Sequence, residues 1–91
     1  MTRECNVEAA LRQRVKVLGG VALKLIMRGR TGFPDRICLL PGGRVIFVEL
    51  KAPGKKPSAV QLRVHAMLRE LGFRVDVVDS VQQVKNWPKI D

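Results

Sequence analysis

Apolar residues recur at intervals of three and four near the start of the chain. Val7, Leu11, Val15 and Leu18 fall on one side of a cylinder, and Gly19-Gly20 ends it, which predicts a helix from Thr2 or Arg3 to about Leu18. The period then changes. Val21 to Met27, an apolar run interrupted by Lys24, predicts a first strand. Asp35 to Leu40 and Val45 to Leu50 predict two more, with Pro41-Gly42-Gly43 as the turn between them. Ser58 caps a second helix from Ala59 to Leu71, with Val60, Val64, Met67, Leu68 and Leu71 as its buried stripe and Gly72 as its stop. Phe73 to Asp79 alternates as a final strand. Ser80 to Asn86 forms a short closing helix with Val81 and Val84 inward, and Trp87-Pro88 is expected to end the ordered structure. The expected order is helix, three strands, helix, strand and short helix, in a single domain spanning residues 1–91 without repeat or linker.

The second and third strands carry the chemistry. Side chains alternate faces along a strand, so Val45, Phe47, Glu49 and Lys51 share one face while Ile46, Val48 and Leu50 share the other. Asp35 joins the face of Glu49 only if paired residue numbers sum to an even value. That requires an odd-numbered loop, which Pro41-Gly42-Gly43 supplies if Pro41 begins a type I turn and Gly43 takes the left-handed position. A two-residue Gly42-Gly43 loop would set Asp35 opposite Leu50 instead. An acid opening one strand and an acid-x-lysine closing the next is an arrangement that holds a divalent cation against a phosphodiester, the chemistry of a nuclease.

Other polar residues gain weight beside that hairpin. Glu4 and Glu8 extend the inward stripe of the first helix, where a carboxylate is costly unless paired or metal-bound. The helix dipole favours acids in a first turn, which explains Glu4 well and Glu8 less well. Lys24 sits either on a solvated edge or at the site. Arg28-Gly29-Arg30-Thr31-Gly32 is a basic loop whose glycines let backbone approach a phosphate and whose arginines can pair with one. Ala52-Pro53-Gly54-Lys55-Lys56-Pro57 is a second basic loop. Gln61 completes a capping box with Ser58 or supports a metal site, both roles being open. His65, one turn further on, is expected to be a surface or internally satisfied residue.

Composition narrows the class. Hydrophobic residues make up 46% of the 91, which excludes disorder. No apolar run reaches the roughly 18 residues of a membrane span, and Met1-Thr2-Arg3-Glu4 lacks a secretion-signal core, so a soluble, intracellular protein is expected. Cys5 and Cys38 have no paired spacing and are expected to be reduced core thiols, there being too few ligands for structural zinc. The formal net charge of +9 implies an anionic partner, nucleic acid first. So small a core would gain from the extra burial of a dimer interface.

Gly19-Gly20, Lys24, Gly32-x-Pro34-Asp35-Arg36, Leu40-Pro41-Gly42-Gly43-Arg44-Val45, Phe47-Val48-Glu49-Leu50-Lys51-Ala52, Gln61 and Leu71-Gly72 together resemble the VRR-NUC family in its short, phage-type standalone form. That family lies within the PD-(D/E)XK restriction-endonuclease-like superfamily. The resemblance runs from about Arg3 to Val84. It implies an α/β fold with an αβββαβ core, a mixed sheet flanked by helices. It also implies a divalent ion, Mg2+ or Mn2+, bound by Glu8 (or Glu4), Asp35, Glu49 and the carbonyl of Leu50. Lys51 matches the catalytic lysine and Gln61 the supporting glutamine, beside Asp35 and Glu49. Lys24, Arg28, Arg30, Lys55 and Lys56 are the expected DNA contacts. The implied activity is that of a metal-dependent DNA endonuclease, structure-selective on branched DNA such as a Holliday junction or flap, working as a homodimer in the cytoplasm of a bacterial or phage-infected cell. Two rivals remain: a non-catalytic basic nucleic-acid-binding module with the same fold, and a small structural protein whose polar residues only cap and solvate.

Overall fold

The structure is a computed structural model that describes residues 4–89, with side chains from residue 6 onward. Its elements are α1 (Glu4–Val17), β1 (Val21–Lys24), β2 (Arg36–Leu40), β3 (Arg44–Leu50), α2 (Ala59–Glu70), β4 (Arg74–Val78) and α3 (Val81–Lys85). The expected αβββαβ order with a closing helix is the observed one.

The strands form one sheet in the order β1-β2-β3-β4. The first three run antiparallel, while β4 returns through α2 to lie parallel to β3, so the sheet is mixed. Hairpin pairs run from Leu40↔Arg44 to Arg36↔Val48, the odd-loop register that places Asp35 opposite Glu49 one step beyond the last pair. Gly42 and Gly43 both take positive φ in that turn, at 85° and 74°, so the left-handed backbone is not confined to Gly43.

Parity of the strands then decides what each face buries. Ile46, Val48 and Leu50, with Cys38 and Leu40 from β2, face α1, whose Val7, Leu11 and Val15 are wholly buried against them. This is the principal core. Gly19 and Gly20 donate their N–H groups back to the Lys16 and Val15 carbonyls and close α1. On the opposite face α2 packs over β4 and the end of β3.

Three expectations change. β1 stops at Lys24 because its partner runs out: after the Leu25 N–H donates to the Asp35 carbonyl, Pro34 interrupts the ladder, and Ile26 is left exposed. The buried side chains of α2 are His65 and Leu68, with Val64 and Met67 half-buried and Val60 and Leu71 exposed, because the helix covers only half the sheet. Trp87, expected only to close the chain, is part of the core. It is buried in the α1-side core, its indole N–H donating to Asp76 Oδ2 at 2.8 Å while its carbonyl accepts from Arg14 Nε at 2.8 Å.

Cys38 is a free thiol at the centre of that core, and burial pushes its pKa up to about 12. Since the thiolate is the reactive form, Cys38 should resist alkylation at pH 8 and become labelled only on unfolding, as peptide mapping after iodoacetamide would show. The side chains of Cys5 and Glu4 lie outside the described residues.

Candidate active site

Glu49 is the most demanding side chain in the molecule. It stands near the end of β3 on the face covered by α2 and is 1% exposed. A carboxylate in that position must be compensated by donors. Two come from consecutive turns of α2: Gln61 Nε2 donates to Oε2 at 3.2 Å, and His65 Nε2 lies 3.3 Å from Oε1. Lys51 Nζ stands 4.0 Å from Oε2, on the same face as strand alternation requires.

Gln61 completes the capping box and also reaches Glu49. Its side-chain oxygen accepts from the Ser58 N–H at 2.8 Å, the Ser58 hydroxyl accepts from the Gln61 N–H at 3.2 Å, and the remaining amide hydrogens reach Glu49. The helix cap therefore fixes the rotamer that touches the acid. His65 takes the second of its two expected positions, an interior residue bonded to Glu49. It is wholly buried, and burial, with the nearby charges of Arg69 and Lys51, lowers its pKa. The signal available was its spacing of four from Gln61 on the same helix face.

Asp35 precedes β2 and turns toward β3, its Oδ2 accepting from the Leu50 N–H at 2.8 Å. Pro34 before it is buried, and the loop is pressed against α2 at Gly32. Asp35, Leu50, Glu8, Lys24 and Arg36 line a cleft of about 190 Å³. Lys24 thus belongs both to the edge strand and to the cleft wall.

Glu8 arrives from α1, on the other side of the sheet from Glu49. Its carboxylate pairs with Arg36 Nη2 at 2.8 Å, and that hydrogen bond, helped by the charges of Arg36, Lys24 and Arg12, holds its pKa below the ordinary carboxylate value. Among the described residues no three His, Cys, Asp or Glu side chains stand together as a ready-made metal cage. Glu8 is turned to Arg36 and Glu49 to α2, which leaves Asp35 between them beside Leu50. The chemistry of the donor set still suits a hard divalent ion: carboxylates and a backbone carbonyl around Leu50, all oxygen.

The expected nucleic-acid contacts are exposed and flank this centre in the chain. Arg28 and Arg30 lie on the loop entering Pro34-Asp35, and the Arg30 guanidinium carbon is 5.4 Å from the centre of the Phe33 ring. Lys55 and Lys56 lie on the loop leaving Lys51. No helix among the described residues is long and apolar enough to cross a membrane.

Comparison with known proteins bears on the family and the fold. The family model for the VRR-NUC domain matches residues 2–82. A protein named "Putative nuclease p44", from Acyrthosiphon pisum secondary endosymbiont phage 1, is 50% identical over 80 residues, covering 88% of this chain and 86% of that one. A solved structure described as a VRR_NUC domain superposes with a TM-score of 0.87 at 40% identity, covering 94% of both chains. With a family model spanning most of its length and a near-complete structural match, the chain belongs to the VRR-NUC family of nuclease domains.

Proposed function

We propose that this protein is a divalent-metal-dependent DNA endonuclease, a single VRR-NUC domain acting as a homodimer on branched DNA in the cytoplasm of a bacterial or phage-infected cell. The observation that carries the proposal is the buried Glu49 carboxylate, fixed by Gln61 and His65, with Lys51 beside it and Asp35 at the facing strand position.

Asp35, Glu49, the Leu50 carbonyl and Glu8 would hold the ion, Mg2+ or Mn2+. When bound, such an ion polarises a phosphate oxygen and lowers the pKa of its water. To hold the ion, Glu8 would have to give up its ion pair with Arg36. The Lys51 ammonium orients the attacking water through its donors and offsets charge that builds on the phosphate. Lys24, Arg28, Arg30, Lys55 and Lys56 grip flanking phosphates, which gives affinity that falls with salt and depends little on base sequence.

The homodimer is supported by an uncovered half-sheet. α2 shields β4 and the end of β3, while Val21, Leu23 and Leu39 are exposed on the same face of β1 and β2. Contiguous exposed apolar surface of this kind marks an interaction site. A two-fold pair of identical active sites also suits a four-way junction, which is resolved by two symmetric cuts. Purified protein incubated with duplex, flapped, splayed and four-way DNA should cut the branched substrates fastest in Mg2+ or Mn2+, and should run as a dimer in light scattering. Equal rates on all four substrates would remove the branch preference. A monomer that cuts only flaps would remove the dimer.

A non-catalytic DNA-binding module would share the charge and the fold. It draws on one observation, that Glu8 and Glu49 are engaged by protein partners rather than grouped together. Binding of branched DNA with no cleavage in any divalent ion would favour it.

A further inference from the structure

We infer that His65 is a positioning residue for the nuclease centre: through its Nε2–H it holds one Glu49 oxygen while Gln61 holds the other, so that α2 fixes the orientation of the carboxylate. The inference rests on the nuclease proposal above and names the residue that prepares Glu49 for it.

The hydrogen positions follow from what each ring nitrogen meets. Nε2 lies 3.3 Å from Glu49 Oε1, and a carboxylate oxygen accepts, so Nε2 carries the proton. Nδ1 is buried and has no partner among the described residues. In a neutral ring protonated at Nε2, Nδ1 is a bare lone pair, and leaving an acceptor unmatched is a smaller loss than burying an N–H, still less a charged one, with nothing to accept it. Both the ring and the carboxylate are essentially inaccessible, at 0% and 1% exposure, so water cannot replace the bond.

Geometry explains why two donors are needed. A glutamate ends in a soft torsion, and one hydrogen bond leaves the carboxylate free to swing about it. Gln61 and His65 are one helical turn apart and take Oε2 and Oε1 respectively, which removes that freedom. Gln61 is anchored by the Ser58 cap and His65 by burial, so the clamp is rigid at both ends. Outer partners of this kind typically alter metal affinity or activity by roughly 10–100-fold when removed.

The test compares His65→Leu, which keeps much of the volume but has no donor, with His65→Gln, whose amide nitrogen reaches about as far as Nε2. Mn2+ affinity is read by isothermal titration and by the rise in Tm on adding Mn2+, and cleavage of four-way DNA is read separately as kcat and KM. His65→Leu should bind Mn2+ about 10–100-fold more weakly and lose kcat by a similar factor. Its KM for DNA should stay near that of the unaltered protein, because the basic loops are untouched. His65→Gln should recover most of both losses. If His65→Leu does not fold, His65→Gln remains decisive against His65→Asn, whose shorter amide stops short of Oε1 and should show the same deficits. Unchanged Mn2+ affinity and kcat in the leucine or asparagine variant overturn the inference, as does a glutamine variant no better than leucine. Failure of the unaltered protein to bind Mn2+ or cut DNA would overturn the nuclease proposal and this inference with it; binding and cutting that ignore residue 65 would overturn the inference alone.

Discussion

Asp35→Asn and Glu49→Gln should each reduce cleavage by about 10³-fold or more, equivalent to roughly 4 kcal/mol of transition-state stabilisation, while leaving DNA binding intact. The two variants should differ in stability. Asp35 is half-buried and uses Oδ2 to accept from the Leu50 N–H, and an asparagine oxygen can accept that bond unchanged. Asp35→Asn should therefore melt close to the unaltered protein. Glu49 receives donors on both oxygens, from Gln61 and from His65. Glutamine turns one acceptor into a donor, so one of those contacts becomes donor against donor in a dry site, a loss of about 1–3 kcal/mol. Melting curves and gel-based cleavage on the same preparations separate the two effects. Full cleavage by either variant would remove that residue from the catalytic set.

The second large effect should come from Gly32→Ala, a change at the loop rather than in the core. Gly32 has φ +87°, and a methyl group built there would lie 2.8 Å from Val60 Cγ1, 2.9 Å from the Val60 carbonyl and 3.0 Å from Val64 Cγ2. The left-handed backbone costs a non-glycine residue about 1–2 kcal/mol, and forcing a methyl into packed backbone adds about 1–3. A total of roughly 2–5 kcal/mol should lower Tm by about 10 °C or more in a chain of this size. Activity should fall as well, because the displaced loop carries Pro34-Asp35. Gly29→Ala is the control: φ is also positive, at +73°, but nothing lies within 4 Å of the added methyl. It should lose only the conformational part. Equal losses at the two positions would show that the approach of Gly32 to α2 contributes nothing.

Much of this architecture is legible in the sequence because β-strands have a period of two. Glu49 and Lys51 fall on one face by count alone, and the three residues Pro41-Gly42-Gly43 fix the parity that sets Asp35 opposite Glu49. The Val7-Leu11-Val15 stripe is equally plain, since a helix buries whatever recurs at three and four. What periodicity does not contain is which half of a sheet a helix covers. Val60 and Leu71 belong to the apolar pattern of α2 yet stay exposed, while His65 takes the buried centre because Glu49, sixteen positions away in sequence, lies beneath it. Nor does local pattern foresee Trp87, which follows a five-residue helix and reads as a tail. Its burial depends on Asp76 and Arg14, which reach it from β4 and α1. The partners of the acids lie far from them in sequence. Sequence names Glu8, Asp35 and Glu49, and Gln61 as a possible support, but gives no hint that Arg36 would hold Glu8 or that His65 would join Gln61 on Glu49.

Those engagements make the position of the ion the sharpest test of the whole account. Crystals grown with manganese, measured at a wavelength where the metal scatters anomalously, would place it directly. The account predicts one strong peak per active site, bonded to Asp35, Glu49 and the Leu50 carbonyl, with Glu8 drawn away from Arg36. Full manganese occupancy elsewhere, with no density beside Asp35 and Glu49, would contradict it.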